Sequence, residues 1–242
     1  MLDPNQIDQL TKALAAWLNF QIFCGRKTLL SEDYLSQPIA EFLTPLFPNR
    51  IEAEWTAPQF KKKGRGRPRQ IDYIAKSRDS EHPVTAIEAK WIAETEIQKQ
   101  RVVDDILRLE MLRIAGDNGK VRYTQRLFLL AGTTAEMGNA LAAKIRCAGD
   151  HDFFSFFLPA VKQLSKIEVL KCADAIRPFF KSFAQGYKVN LPKSYKVELL
   201  ADQTAEQVRV MLWRVDSSQK RKDFDALAEW QDVQVPESDE ED

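Results

Sequence analysis

Cysteine and histidine are scarce in this chain of 242 residues: three cysteines and two histidines. Cys24, Cys147 and Cys172 are odd in number and widely separated, so they read as small core residues rather than as a disulfide framework or a zinc site. His82 and His151 both fall in apparent turns, which argues against a histidine-based metal site or a catalytic triad. No apolar run is long enough to span a membrane, and Met1-Leu-Asp-Pro-Asn lacks the basic start and apolar stretch of a signal peptide. The product is therefore expected to be soluble and cytoplasmic, with no membrane partner. There is no internal repeat.

Net charge is also missing, with 35 Lys and Arg against 35 Asp and Glu. That balance hides a polarity. From Asp223 to Asp242 there are nine acids and no Lys or Arg, so residues 1–222 carry 35 cations against 26 acids. A basic body with an acidic tail suits a polyanionic partner, and the tail could compete for the same groove or bind a basic partner. Its simplest reading is a disordered solubilising end. At 44% hydrophobic, the chain can bury a sizeable core without oligomerising.

The most informative residues lie in two short apolar runs, Gln70-Ile-Asp-Tyr-Ile-Ala75 and Val84-Thr-Ala-Ile-Glu-Ala-Lys-Trp91. Side chains alternate faces along a strand, so Glu88 and Lys90 point one way while Ile87, Ala89 and Trp91 point the other. If the strand carrying Asp72 pairs alongside, two carboxylates and one ammonium converge. Charges that interrupt apolar strands are costly to bury without a purpose. Paired hard oxygen ligands suit Mg²⁺ (or Mn²⁺), and a neighbouring lysine can orient or deprotonate a water. The pattern points to metal-dependent phosphodiester hydrolysis.

Periodicity supplies the surrounding elements. Leu35, Ile39, Phe42, Leu43 and Leu46 fall at helical spacing after Ser31, and Pro48-Asn49 ends that helix. Arg50–Ala57 alternates as a strand, followed by a basic turn and the two strands above. Helical spacing returns from Glu94 to Ala115, with Gly116–Gly119 as a stop. Arg126–Gly132 is a continuous apolar run, as expected of a strand buried on both faces. The fold class is therefore α/β: a mixed central sheet built on a helix-strand-strand-strand-helix-strand core.

At Ile71-Asp72 and Glu88-Ala89-Lys90 the sequence resembles the PD-(D/E)xK nuclease superfamily, with isoleucine where the family has proline. The resemblance covers under half the chain, from about 32 to about 132. It implies that Asp72, Glu88 and the backbone carbonyl of Ala89 hold the metal and that Lys90 acts on the water. It also makes Glu41 of the first helix a candidate ligand or water-positioning group, with Glu54 of the neighbouring strand as runner-up. The competing reading is that Glu41, like Glu32, faces solvent. Gln98 is the residue of the second helix that best fits a position facing the metal or the scissile phosphate. Some exonuclease branches carry a tyrosine four residues later, where this chain has Val102.

Lys61, Lys62, Lys63, Arg65, Arg67 and Arg69 pack six cations into nine residues ahead of the Asp72 strand, an electrostatic footprint for phosphates. The Arg65-Gly-Arg-Pro68 core also resembles an AT-hook. The expected partner is nucleic acid, DNA above all; cutting both strands with one site per chain would need a homodimer or two successive nicks. The alternatives are a catalytically silent module of the same fold that binds DNA or protein, and an interaction protein that works through its acidic tail.

The domain reading is an N-terminal helix (1–30), a nuclease core (31–149), an extension packed on it (150–222) and the acidic tail (223–242). Thr133-Thr-Ala-Glu136 is expected to cap a helix reaching about Cys147. Phe153, Phe154, Phe156 and Phe157 suit a satellite core. Tyr195–Leu200 and Gln207–Arg214 read as a hairpin joined through Ala201–Glu206.

Overall fold

The computed structural model describes residues 1–57, 70–78, 82–92, 99–112, 114–115, 121–142, 153–217 and 222–231. The basic segment Lys61–Arg69, Gln98, Gly116–Gly119, Cys147, His151 and the acidic residues 232–242 lie outside them.

Helix α1 (Pro4–Phe23) opens on a capping box, Asp3 accepting from the Gln6 N–H and the Gln6 side chain accepting from the Asp3 N–H. Its apolar stripe of Ile7, Leu10, Leu14 and Leu18 is buried, each side chain contributing roughly 1.5–3 kcal/mol. Helix α2 (Glu32–Leu46) starts at the Ser31 cap and buries Leu35, Ile39 and Leu43. Strands β1 (Ile51–Trp55), β2 (Ile71–Lys76) and β3 (Pro83–Ile92) follow as an antiparallel meander.

Helix α3 (Lys99–Met111) crosses over to bring the central strand parallel to β3. It ends at Met111, short of the expected Ala115. Ile114–Ala115 instead forms β4 and pairs with β5 (Val121–Arg122), so a small hairpin takes up residues whose apolar spacing continued the helical pattern.

Strand β6 (Gln125–Thr133) is buried throughout. Thr133 and Glu136 form the expected capping box for α4 (Thr134–Leu141). Helix α5 (Phe153–Phe157) and α6 (Arg177–Tyr187) flank strand β7 (Ser165–Ile167), and β8 (Leu191–Pro192) precedes the hairpin β9 (Tyr195–Ala205) and β10 (Val208–Ser217). The hairpin strands run to a two-residue turn at Glu206-Gln207, longer than the sequence pattern implied.

The main sheet has seven strands among the described residues, ordered β1-β2-β3-β6-β10-β9-β7. All neighbours are antiparallel except β3 and β6. One layer, α1 and α2, covers Tyr73, Ile87, Ala89, Leu127, Leu129, Val210 and Leu212. The other, including α3 and α6, covers Ile74, Ala86, Phe128, Leu130, Met211 and Trp213.

The extension thus enters the sheet, with β10 pairing directly to β6, rather than packing outside it. Phe153 and Phe157 sit against Phe179 and Phe180 in the α6 layer and are continuous with the main core of Ile74, Phe128 and Trp213, so the cluster is core as expected but not a separate satellite.

Part of the acidic tail is folded. β11 (Asp223–Phe224) pairs with β8, and α7 (Ala226–Glu229) is capped by the Asp225 carboxylate. The tail is anchored by buried Phe224 and Trp230, two aromatics that a reading by charge alone passes over. Cys172 is buried, but Cys24 is exposed, against expectation. Among the described residues no helix is long and apolar enough to cross a membrane.

Candidate active site

Strand alternation puts Glu88 and Lys90 on the same face as Ala86 and Ile92, beneath α3. Asp72 shares a face with Ile74, one strand away, and meets them in the same cleft. The cleft measures about 170 Å³ and is lined by Glu32, Asp72, Glu88, Lys90, Arg101, Asp104, Asp105 and Arg108. The three residues predicted from the two strands therefore do converge.

Their contacts form a chain of charges. Lys90 Nζ lies 2.9 Å from Glu32 Oε1 and 3.0 Å from Asp105 Oδ2. The other oxygen of Asp105 pairs with Arg108, whose Nε donates to Glu88 Oε1 at 2.9 Å. Arg108 also donates to the Tyr187 hydroxyl at 3.3 Å, tying the end of α6 to the site. The Ala89 N–H donates to Asp72 Oδ2 at 2.8 Å. Glu88 is 1% exposed, and its second oxygen, Oε2, has no hydrogen-bond partner among the described residues.

Burial and mutual repulsion shape the acids. Burial pushes Asp72 up from 3.8 to about 6; the Ala89 N–H opposes this, and the Asp105 charge adds to it. Burial also drives Glu88 well above the usual carboxylate range; the Arg108 guanidinium offsets part of that, while Asp72 and Asp105 reinforce it. For Lys90, burial favours the neutral amine, but Asp105 and Glu32 more than compensate and the net shift is upward. Lys90 is thus an ammonium at neutral pH, suited to orienting a water or balancing charge rather than to taking a proton.

In α2 the structure matches the solvent-facing reading of Glu41 and overturns the same reading of Glu32. Glu41 is exposed and accepts from Gln37 at 2.9 Å, outside the cleft, whereas Glu32 reaches Lys90. The heptad phase carried the signal: Glu32 continues the buried stripe Leu35, Ile39 and Leu43, while Glu41 lies about 180° around the helix from it. Glu54 is exposed, at φ 51°, and does not line the cleft. Asp104, Asp105 and Arg108 went unnoticed in the sequence, although they are charges set inside an apolar helical run, the same signal that marked Glu88. Gln98 and the six cations of the basic loop fall outside the described residues.

No family model, curated protein or solved structure matches this chain.

The residues present fit a hard divalent cation. Asp72 and Glu88 are carboxylates whose charged forms burial disfavours, and the second Glu88 oxygen has no partner among the described residues; a bound cation would relieve both. Among the described residues, no three Asp, Glu, His or Cys side chains close around a metal unaided. Mg²⁺ commonly takes only one or two protein carboxylates and keeps several waters, so Asp72 and Glu88 suffice as side-chain ligands, with the Ala89 carbonyl as a third candidate.

The raised Asp72 gives a signed prediction. Because its folded value lies above its unfolded one, its contribution to stability is fully present below about pH 3.8 and is lost as pH rises through about 6. At pH 8 without metal, the ionised group costs up to about 3 kcal/mol. Asp72→Asn should therefore raise the melting temperature at pH 8 and leave it unchanged near pH 4. Mg²⁺ should stabilise the wild type, increasingly above pH 6, and have no effect on the variant. Thermal melts across pH, with and without Mg²⁺, check both.

Proposed function

We propose that this chain is a metal-dependent nuclease of the PD-(D/E)xK type, hydrolysing phosphodiester bonds in nucleic acid, with DNA as the favoured substrate. The observation that carries this reading is the convergence of Asp72, Glu88 and Lys90 in one cleft, with a buried oxygen of Glu88 that has no partner among the described residues. Support also comes from the element order, in which a helix and a three-stranded meander lead through α3 to a strand parallel to β3.

Asp72 and Glu88 would hold Mg²⁺ or Mn²⁺, which when bound neutralises phosphate charge and acidifies water. Lys90, fixed between Glu32 and Asp105, presents an ammonium to the attacking water or to a phosphate oxygen. In the hydrolysis, the water oxygen bonds to phosphorus and gives up a proton to solvent, one P–O ester bond breaks, and the leaving oxygen takes up a proton from solvent. The basic segment Lys61–Arg69 runs directly into the Asp72 strand and would hold the flanking phosphates.

The test is incubation of supercoiled and linear DNA with the full chain and Mg²⁺ or Mn²⁺, beside an EDTA control and Asp72→Ala. Metal-dependent cleavage that is absent from the variant is the expected result. Equal cleavage by a pure variant preparation would refute the assignment.

One observation favours a second reading, a catalytically silent binding module. Arg108 and Lys90 already pair with Glu88, Asp105 and Glu32, so much of the cleft's charge is satisfied internally. Under that reading, Mg²⁺ would not shift the melting temperature and DNA would bind without being cut.

A further inference from the structure

We infer that Arg108 is a positioning residue for the metal ligand Glu88, and that Tyr187 of α6, in the C-terminal extension, locks it in place; the inference rests on the metal-nuclease reading above. A guanidinium is a planar fork whose N–H groups point in fixed directions. Arg108, buried on α3, uses all three of its nitrogens. Its Nε donates to Glu88 Oε1 at 2.9 Å, one terminal nitrogen donates to Asp105 Oδ1, and the other donates to the Tyr187 hydroxyl at 3.3 Å. Partners in three directions fix the plane of the guanidinium and, with it, the orientation of the Glu88 carboxylate.

With Oε1 held, Oε2 is the oxygen offered to an ion; it is buried and has no partner among the described residues. A carboxylate already turned to its ligating orientation loses less freedom when metal binds, so the group that holds it acts on affinity. The same fork reaches Lys90, whose Nζ lies 3.0 Å from Asp105 Oδ2.

The extension holds Arg108 in turn, because α6 is tied to α3 twice. The Gln100 side chain donates to the Phe179 carbonyl at 3.0 Å, and Arg108 donates to Tyr187. Gln100 and Arg108 lie eight residues apart on α3, as do Phe179 and Tyr187 on α6, so the two helices run side by side in the same direction. The Tyr187 ring stacks on buried Phe183 with centroids 4.1 Å apart, which gives its hydroxyl a packed platform.

The test measures the Mn²⁺ affinity of the full chain by calorimetry, beside electron paramagnetic resonance of the bound ion and a metal-free thermal melt, all without DNA. Two variants keep the formal charge. Tyr187→Phe removes the hydroxyl alone and leaves the ring on Phe183, whereas Arg108→Lys keeps the cation but cannot bridge two carboxylates in one plane. Arg108→Lys is expected to weaken Mn²⁺ binding about 10–100-fold. Tyr187→Phe is expected to weaken it about three- to tenfold, with a changed resonance of the bound ion and a melting temperature close to that of wild type. This second variant keeps the test decisive if Arg108→Lys does not fold.

Mn²⁺ affinity within about twofold of wild type in Tyr187→Phe would mark the tyrosine as merely structural and overturn the inference. Tighter binding by Arg108→Lys would overturn it too, since the guanidinium would then be competing with the ion for Glu88. A wild type that binds no Mn²⁺ defeats both the inference and the reading beneath it. A wild type that binds Mn²⁺, with these losses in the variants, but cuts no DNA sinks the nuclease reading and leaves the inference standing.

Discussion

Lys90→Ala is expected to lower the rate of metal-dependent DNA cleavage by on the order of 10²–10³-fold while leaving the fold and the metal site intact. Lys90 is the cation of the cleft that sits on the sheet beside Glu88, and its ammonium is kept protonated by Asp105 and Glu32. Removing it takes away charge stabilisation where the reacting phosphate must lie. Asp105 keeps Arg108 as a partner, and Glu32 is partly exposed, so neither acid is stranded in an apolar setting. Mn²⁺ affinity should hold or rise, because a cation beside the carboxylates is removed. Single-turnover rates, read beside Mn²⁺ titration, separate loss of chemistry from loss of metal. A Lys90→Ala rate within about threefold of wild type would remove the lysine from the reaction, a smaller loss than any removed transition-state donor is expected to give.

Trp213→Ala should cost about 3–5 kcal/mol and melt the whole sheet in one transition. Trp213 is fully buried in β10, and its indole N–H donates to the Pro159 carbonyl at 3.2 Å. It also tilts against Phe128 of β6, with centroids 6.5 Å apart. Truncation opens a cavity between the sheet and the layer that includes α3 and α6, and leaves the carbonyl without its donor. Since β10 is hydrogen-bonded to β6 along seven residue pairs, loss at this position cannot stay within the C-terminal segment. Urea denaturation followed by both fluorescence and circular dichroism provides the check. Two separated transitions, or a loss below about 1 kcal/mol, would mean that the extension folds as an appendage.

The strands of the site were legible because their period is two. Asp72, Glu88 and Lys90 are charges at alternate positions in apolar runs, and local alternation alone assigns their face. The helices were read less well, because the face of a helix depends on phase. Glu41 drew attention through its neighbour Phe42, yet it is Glu32 that shares the stripe of Leu35 and Ile39. Asp105 and Arg108 were hidden for another reason. Helix α3 is buried against the sheet on one side and α6 on the other, so its charges cannot be assigned to a solvent face by pattern. Only the packing shows that they turn into the cleft. The pairing of β10 with β6 is a long-range contact that no local pattern encodes. In the acidic tail, composition pointed to disorder while Phe224 and Trp230, two large apolar side chains, were enough to anchor its first part.

The most direct test of the central claim is to locate Mn²⁺ in crystals of the wild-type chain by its anomalous scattering. A peak in the cleft contacting both Asp72 and Glu88, beside Lys90, is expected, with no such peak in Asp72→Asn. A fully occupied Mn²⁺ elsewhere, with the cleft empty at saturating metal and Arg108 still closed over Glu88, would contradict it.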